Sequence, residues 1–145
     1  MSVYAPELVN LALAATDKSD AIAQLAALVV ACGRGTDADQ ITRDVLARDA
    51  MGTPQVDGVA IPHARSVGVN QPSVVVARTT GVTFDPDEDP ADVIFMILVP
   101  EGEGDEHITI LSGLARRLMN PEFTQALRSL HNANAITALL ADGEA

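Results

Sequence analysis

Aromatic residues are scarce in this chain: tryptophan is absent, and Tyr4, Phe84, Phe95 and Phe123 make up 3% of 145 residues. Stacking platforms for bases or sugar rings are therefore few, and the core must be built from Ala, Val, Leu and Ile. Cations are scarce as well, 9 against 20 carboxylates, for a formal net charge of −11. The basic stripe that nucleic-acid binding requires is missing, so nucleic acid is not an expected partner. An acidic body instead attracts a basic protein. One cysteine, Cys32, excludes an internal disulfide framework and a multi-cysteine zinc site. Its place in an apolar helical pattern predicts a buried, inert thiol. No basic and then apolar leader opens the chain, and strongly apolar runs such as Val93–Val99 are far too short to span a bilayer. The expectation is a cytoplasmic protein with no direct membrane insertion.

What is present fits a single domain over residues 1–145, with 48% apolar residues to fill one core. Leu8–Ala14 reads as a first strand. Thr16–Asp20 then offers N-cap residues for a helix whose Ile22, Leu25, Ala26 and Val29 recur at helical spacing, with Gly33 and Gly35 as stop signals. A second helix is predicted from about Asp37 to Asp49, with Arg48 in its last turn, where the helix dipole favours a cation. Gly52–Gly58 reads as a loop, Val59–Ile61 and Val74–Thr79 as strands, and the acidic stretch Gly81–Pro90 as a solvated turn. Val93–Val99, apolar without alternation, has the pattern of a central strand covered on both faces. A third helix carries Ile108, Leu111, Leu114, Ala115 and Leu118, a fourth starts at Pro121, and Ala135–Leu140 forms a fifth. The interleaving predicts an α/β domain, a mixed central sheet flanked by helices on both faces.

The segment Gly58-Val59-Ala60-Ile61-Pro62-His63-Ala64-Arg65 carries the chemistry. Proline cannot donate to a sheet ladder, so Pro62 is expected to stop the strand and present His63, a nucleophile, base or ligand near neutral pH, at its carboxyl end. His107 shares a helix face with Leu111, Leu114 and Leu118 and follows the strongest strand. That corner of an open α/β sheet, beside a helix N-terminus, suits an anion such as phosphate. If the two strands are parallel neighbours, both imidazoles reach one rim. Two histidines joined by Asp105 or Glu106 would instead make a metal site, so a two-histidine metal hydrolase stays open. His131 reads as a solvated helix-end residue, and Asp85–Asp89 lacks the spacing of a calcium loop.

The Pro-His segment resembles the phosphorylation signature of the enzyme IIA domains of the fructose/mannitol type, part of the bacterial phosphoenolpyruvate-dependent sugar phosphotransferase system. The likeness extends to Asp17-Lys18, Ala47-Arg48-Asp49, Ala91–Phe95 and Glu106–Leu111. It implies that His63 accepts a phosphoryl group from the phosphocarrier HPr, as tele-phosphohistidine, and passes it to a cysteine of enzyme IIB, which serves the IIC permease. It implies a supporting role for His107, phosphate stabilisation by Arg48 and no cofactor. Asp49 stands where the family usually has glutamate. The 52–58 loop also departs from the family, which bears on a phosphate contact from Thr53. HPr is expected to dock over this rim through an apolar patch with a polar border. A regulatory phosphorylation switch of the same fold is the competing function.

Overall fold

The computed structural model describes residues 2–102 and 106–141, with Glu106 and His107 as backbone only. A 3-10 turn at Pro6–Leu8 leads into a two-residue strand, β1 (Val9–Asn10). Helices α1 (Lys18–Ala31) and α2 (Ala38–Asp49) follow, each capped by an aspartate: Asp17 accepts the Asp20 N–H and Asp37 the Gln40 N–H. Strands β2 (Gln55–Val56), β3 (Val59–Ala60) and β4 (His63–Ser66) are short, whereas β5 (Ser73–Val82) and β6 (Ala91–Pro100) run long. Helices α3 (Glu106–Arg117), α4 (Pro121–Ser129) and α5 (Ala133–Ala141) complete the described chain.

The six strands form one mixed sheet in the order β1-β5-β6-β3-β2, with β4 also on β6. β3 and β4 run parallel to β6, β5 antiparallel to β6, and β1 parallel to β5. Side chains alternate across the pleat, which divides the core in two. Ala60, Ala64, Ile94, Met96 and Leu98 pack with Ile22, Leu25, Val29, Ile41 and Val45 of α1 and α2. On the other face Val59, Ile61, Val93, Phe95 and Ile97 pack with Leu114, Leu118, Phe123, Leu127, Ile136 and Leu140 of α3, α4 and α5. β6 is buried on both faces, as its unbroken apolar run requires. This is the mixed sheet with helices on both faces that the sequence predicts.

Several local expectations are corrected. Leu8–Ala14 is a strand only at Val9–Asn10: Pro6 starts a 3-10 turn, and the Asn10 side chain accepts the Ala12 N–H in a turn that ends the pairing. The 52–58 loop contains the first strand and the turn of a hairpin. Gln55 pairs with Ala60 and Val56 with Val59, across Asp57 and Gly58 at φ 55° and 81°. Two successive positive φ values make the tight turn that Asp-Gly favours. Arg128 of α4 locks this turn, with Nη2 2.6 Å from the Asp57 carbonyl and the guanidinium forked onto the Asp92 carboxylate at 2.7 and 2.9 Å. Its hydrogen bonds to Asp92 raise the Arg128 pKa further above its ordinary value. Helix α5 starts before Ala135 because the Asn132 side chain accepts the Asn134 and Ala135 N–H groups. Cys32 caps α1 half-buried rather than buried; its thiol donates to the Glu7 carbonyl at 3.3 Å, and loss of solvent pushes its pKa up. His131 and Asp85–Asp89 are solvent-exposed, as expected.

Candidate active site

Pro62 interrupts its strand without ending it. Ala60 lies opposite Ile94 and His63 opposite Ile97, so the offset to β6 is the same on both sides of the proline. The Pro62 carbonyl keeps its place in the ladder, accepting the Ile97 N–H at 3.0 Å, while the missing proline N–H costs one rung. His63 therefore opens β4, level with Ile97 and three residues short of the end of β6, rather than standing at the carboxyl end of β3. Directly paired residues share a face. Ile97 belongs to the core beneath α3, α4 and α5, so the His63 imidazole sits on that face. The strands are parallel neighbours, as the shared rim required.

His63 is 6% exposed, and its Nδ1 lies 3.0 Å from the Ile61 carbonyl oxygen. A carbonyl only accepts, so Nδ1 carries the hydrogen. In the neutral imidazole the lone pair then resides on Nε2. The Ile61 N–H donates to the Pro54 carbonyl at 2.9 Å, which continues the β2–β3 register by one pair. Pro54 has no N–H to return, so the Ile61 carbonyl is left to orient His63 while the Ile61 N–H ties the α2–β2 connection beside it.

That connection carries the other predicted residues. Arg48, in the last turn of α2, donates from Nη1 to the Gly52 carbonyl at 2.9 Å. Thr53 donates its hydroxyl to the Asp49 carboxylate. The single hydroxyl hydrogen is spent there, so the phosphate contact expected of the Thr53 side chain conflicts with this arrangement. Asp49 also holds the Lys18 ammonium at 2.6 Å, and Lys18 donates on to the Phe84 carbonyl at 3.0 Å. The Lys18–Asp49–Thr53 link escaped the reading of the sequence, although Lys18 and Asp49 were both part of the noted likeness.

His107 opens α3, which packs against β6 on the His63 face; the side chains of Glu106 and His107, and all of Asp105, lie outside the described residues. Among the described residues no three His, Cys, Asp or Glu side chains gather as a metal site would need. Arg65, two residues beyond His63 on the same strand face, is exposed. Its cation was quoted in the motif without a role, and strand alternation is the signal that brings it to this side. A cavity of about 500 Å³ lies elsewhere, at the amino end of β6 between Leu11, Arg78, Asp92 and Arg128. Both its arginines are engaged, Arg128 by Asp92 and Arg78 by the carbonyls of Leu127 and Leu130, so it offers no cation to an anion.

The family model "Phosphoenolpyruvate-dependent sugar phosphotransferase system, EIIA 2" matches residues 2–143. The chain belongs to this family. A fructose-specific EIIA component of Haloferax volcanii is 37% identical over 139 residues, covering 94% of this chain and 90% of that one. A nitrogen regulatory protein of Bradyrhizobium diazoefficiens is 33% identical over 142 residues, covering 96% and 92%. Among solved structures, the nitrogen regulatory protein IIA-Ntr of Neisseria meningitidis superposes with a TM-score of 0.85 at 28% identity, covering 95% of this chain and 96% of that one. EIIA membership implies phosphotransfer, and the relatives include both sugar and nitrogen branches. No helix among the described residues is long and apolar enough to cross a membrane.

Proposed function

We propose that this chain relays phosphate in the cytoplasm, taking it from phospho-HPr onto Nε2 of His63 and passing it to a cysteine of a fructose-type enzyme IIB that serves the IIC permease. The observation that carries the reading is the Nδ1–H bond to the Ile61 carbonyl, which presets the tautomer with its lone pair on Nε2. In the first step the N–P bond of the donor phosphohistidine breaks as the His63 Nε2–P bond forms, and the donor imidazole leaves with the electron pair. In the second, a IIB thiolate attacks phosphorus and the pair returns to Nε2. Neither step requires His63 to lose a proton, so Nδ1–H stays on Ile61 throughout.

Transfer of this kind depends on in-line positioning and on neutralising the equatorial oxygens. Arg48 supplies the planar fork for them. His107, in the first turn of α3, supplies one ring N–H as the supporting residue. The competing reading, a nitrogen-type regulatory switch, draws on the 33% and 28% identical regulatory relatives. The fructose branch draws on the 37% identical one.

Incubation with phosphoenolpyruvate, enzyme I and HPr is expected to give an acid-labile phosphohistidine at His63, absent from His63→Gln. Full labelling of His63→Gln would sink the assignment. Chasing the label onto purified IIB domains separates the branches: transfer to a fructose-type IIB supports uptake, and retention of label in the presence of every IIB supports the switch.

A further inference from the structure

We propose that Asp49 is a positioning residue for the phosphoryl transfer above, on which this inference rests. Its carboxylate holds the α2–β2 connection, and through it both Arg48 and the His63 turn, in register. Arg48 and Asp49 are consecutive, and each reaches four residues ahead: Arg48 to the Gly52 carbonyl, Asp49 to the Thr53 hydroxyl. Two side-by-side clasps of this kind close the connection into a fixed loop, in which the Met51 N–H also meets the Arg48 carbonyl and the Gly52 N–H the Asp49 carbonyl. The next residue, Pro54, accepts the Ile61 N–H, and the Ile61 carbonyl accepts Nδ1–H of His63. A continuous path thus runs from Asp49 through Thr53, Pro54 and Ile61 to the imidazole.

Asp49 is suited to anchor that path. Its side chain is 6% exposed, and burial of a carboxylate is costly unless an opposite charge and hydrogen bonds meet it. The partners come from two directions. Lys18 approaches from the start of α1 at 2.6 Å and is itself fixed by the Phe84 carbonyl beyond β5, while Thr53 closes from the loop. The anchor is therefore built on helix ends and a sheet connection, and the loop that hangs from it inherits their rigidity. Arg48 meets the transferred phosphate; Asp49 acts only through Arg48 and the His63 turn.

Thr53→Val, isosteric but lacking the hydroxyl, cuts the path with little change in volume. The expected result is a fall of roughly tenfold to a hundredfold in kcat for phosphorylation by phospho-HPr, the scale of a small positional error remote from the reacting atoms. KM for phospho-HPr and the thermal midpoint stay near wild type, Thr53→Ser restores the rate, and hydrogen exchange of the Ile61 amide quickens in Thr53→Val but not in Thr53→Ser. Asp49→Asn is expected to show the same kinetic loss with a lowered midpoint. A wild-type chain that labels beside a Thr53→Val chain of equal kcat and unchanged Ile61 exchange overturns the positioning role alone. A wild-type chain that takes no label from phospho-HPr overturns the phosphotransfer reading and this role together.

Discussion

The imidazole of His63 is oriented by the carbonyl of a residue two positions earlier, so the orienting bond is local and travels with the turn. A histidine flanked by a proline was legible from the letters alone; the tautomer was not, because it depends on which way the Ile61 carbonyl faces. Arg48 shows the same division. Its place in the last turn of α2 follows from helix periodicity, while its grip on Gly52 depends on the path of a loop with no periodicity to read. We expect Arg48→Lys to lower the rate of His63 phosphorylation by about a hundredfold, since an ammonium keeps the charge and loses the planar fork. Rapid-quench measurement with phospho-HPr checks this, and a change below threefold would remove Arg48 from the reaction.

Among elements, the helices and the long strands were readable, and the two-residue strands only in part. β6 announced itself by an unbroken apolar run, α1 by spacing and N-cap candidates that include Asp17, and α2 by spacing. β3 was read as the strand Val59–Ile61, but its hairpin partner β2 was read as loop because two residues are too few for alternation to register. Its Asp57-Gly58 turn was the available signal. Gly58 has φ 81°, and an added Cβ would lie 3.0 Å from Nη2 of Arg128 and 3.1 Å from Oδ1 of Asp92. Gly58→Ala is therefore expected to destabilise the protein by about 1–2 kcal/mol, the cost of a left-handed conformation for an L-residue. Urea unfolding would show it as a lower midpoint at unchanged slope. An unaltered midpoint would mean that the hairpin relaxes freely. The half-exposed Arg128–Asp92 pair itself contributes at most about 1 kcal/mol.

For the whole molecule, the sheet separates an α1/α2 core from an α3/α4/α5 core, and the proposed site joins contributions from both sides. Arg48 comes from the first, His63 faces the second, and the edge connection through Pro54 lets one face inform the other. Fold class was legible because it needs only the sequence of element types. The pairing of β4 with β6 was not, since contacts so distant in the chain leave no local trace. The net charge of −11 acts at this scale too. If a basic carrier docks here, the second-order rate constant for phosphorylation falls steadily as ionic strength rises, because screening shortens the reach of the field. Stopped-flow rates across a salt series test this, and a flat response would assign encounter to apolar contact alone.

The uninterrupted offset across Pro62 makes the site a matter of parity. Odd-numbered residues of the stretch from Val59 to Arg65 face the α3 side and even-numbered ones the α1/α2 core, as the placement of Ile61 and of Ala60 and Ala64 shows. Inserting one residue between Gly58 and His63 while keeping the pairing upstream would turn the imidazole into the opposite core and bring a neighbour to the rim in its place. Inserting two would restore the side but move the ring one pleat repeat, about 7 Å, along β6. Length variation in this segment is thus quantised, whereas the turns around it can change one residue at a time.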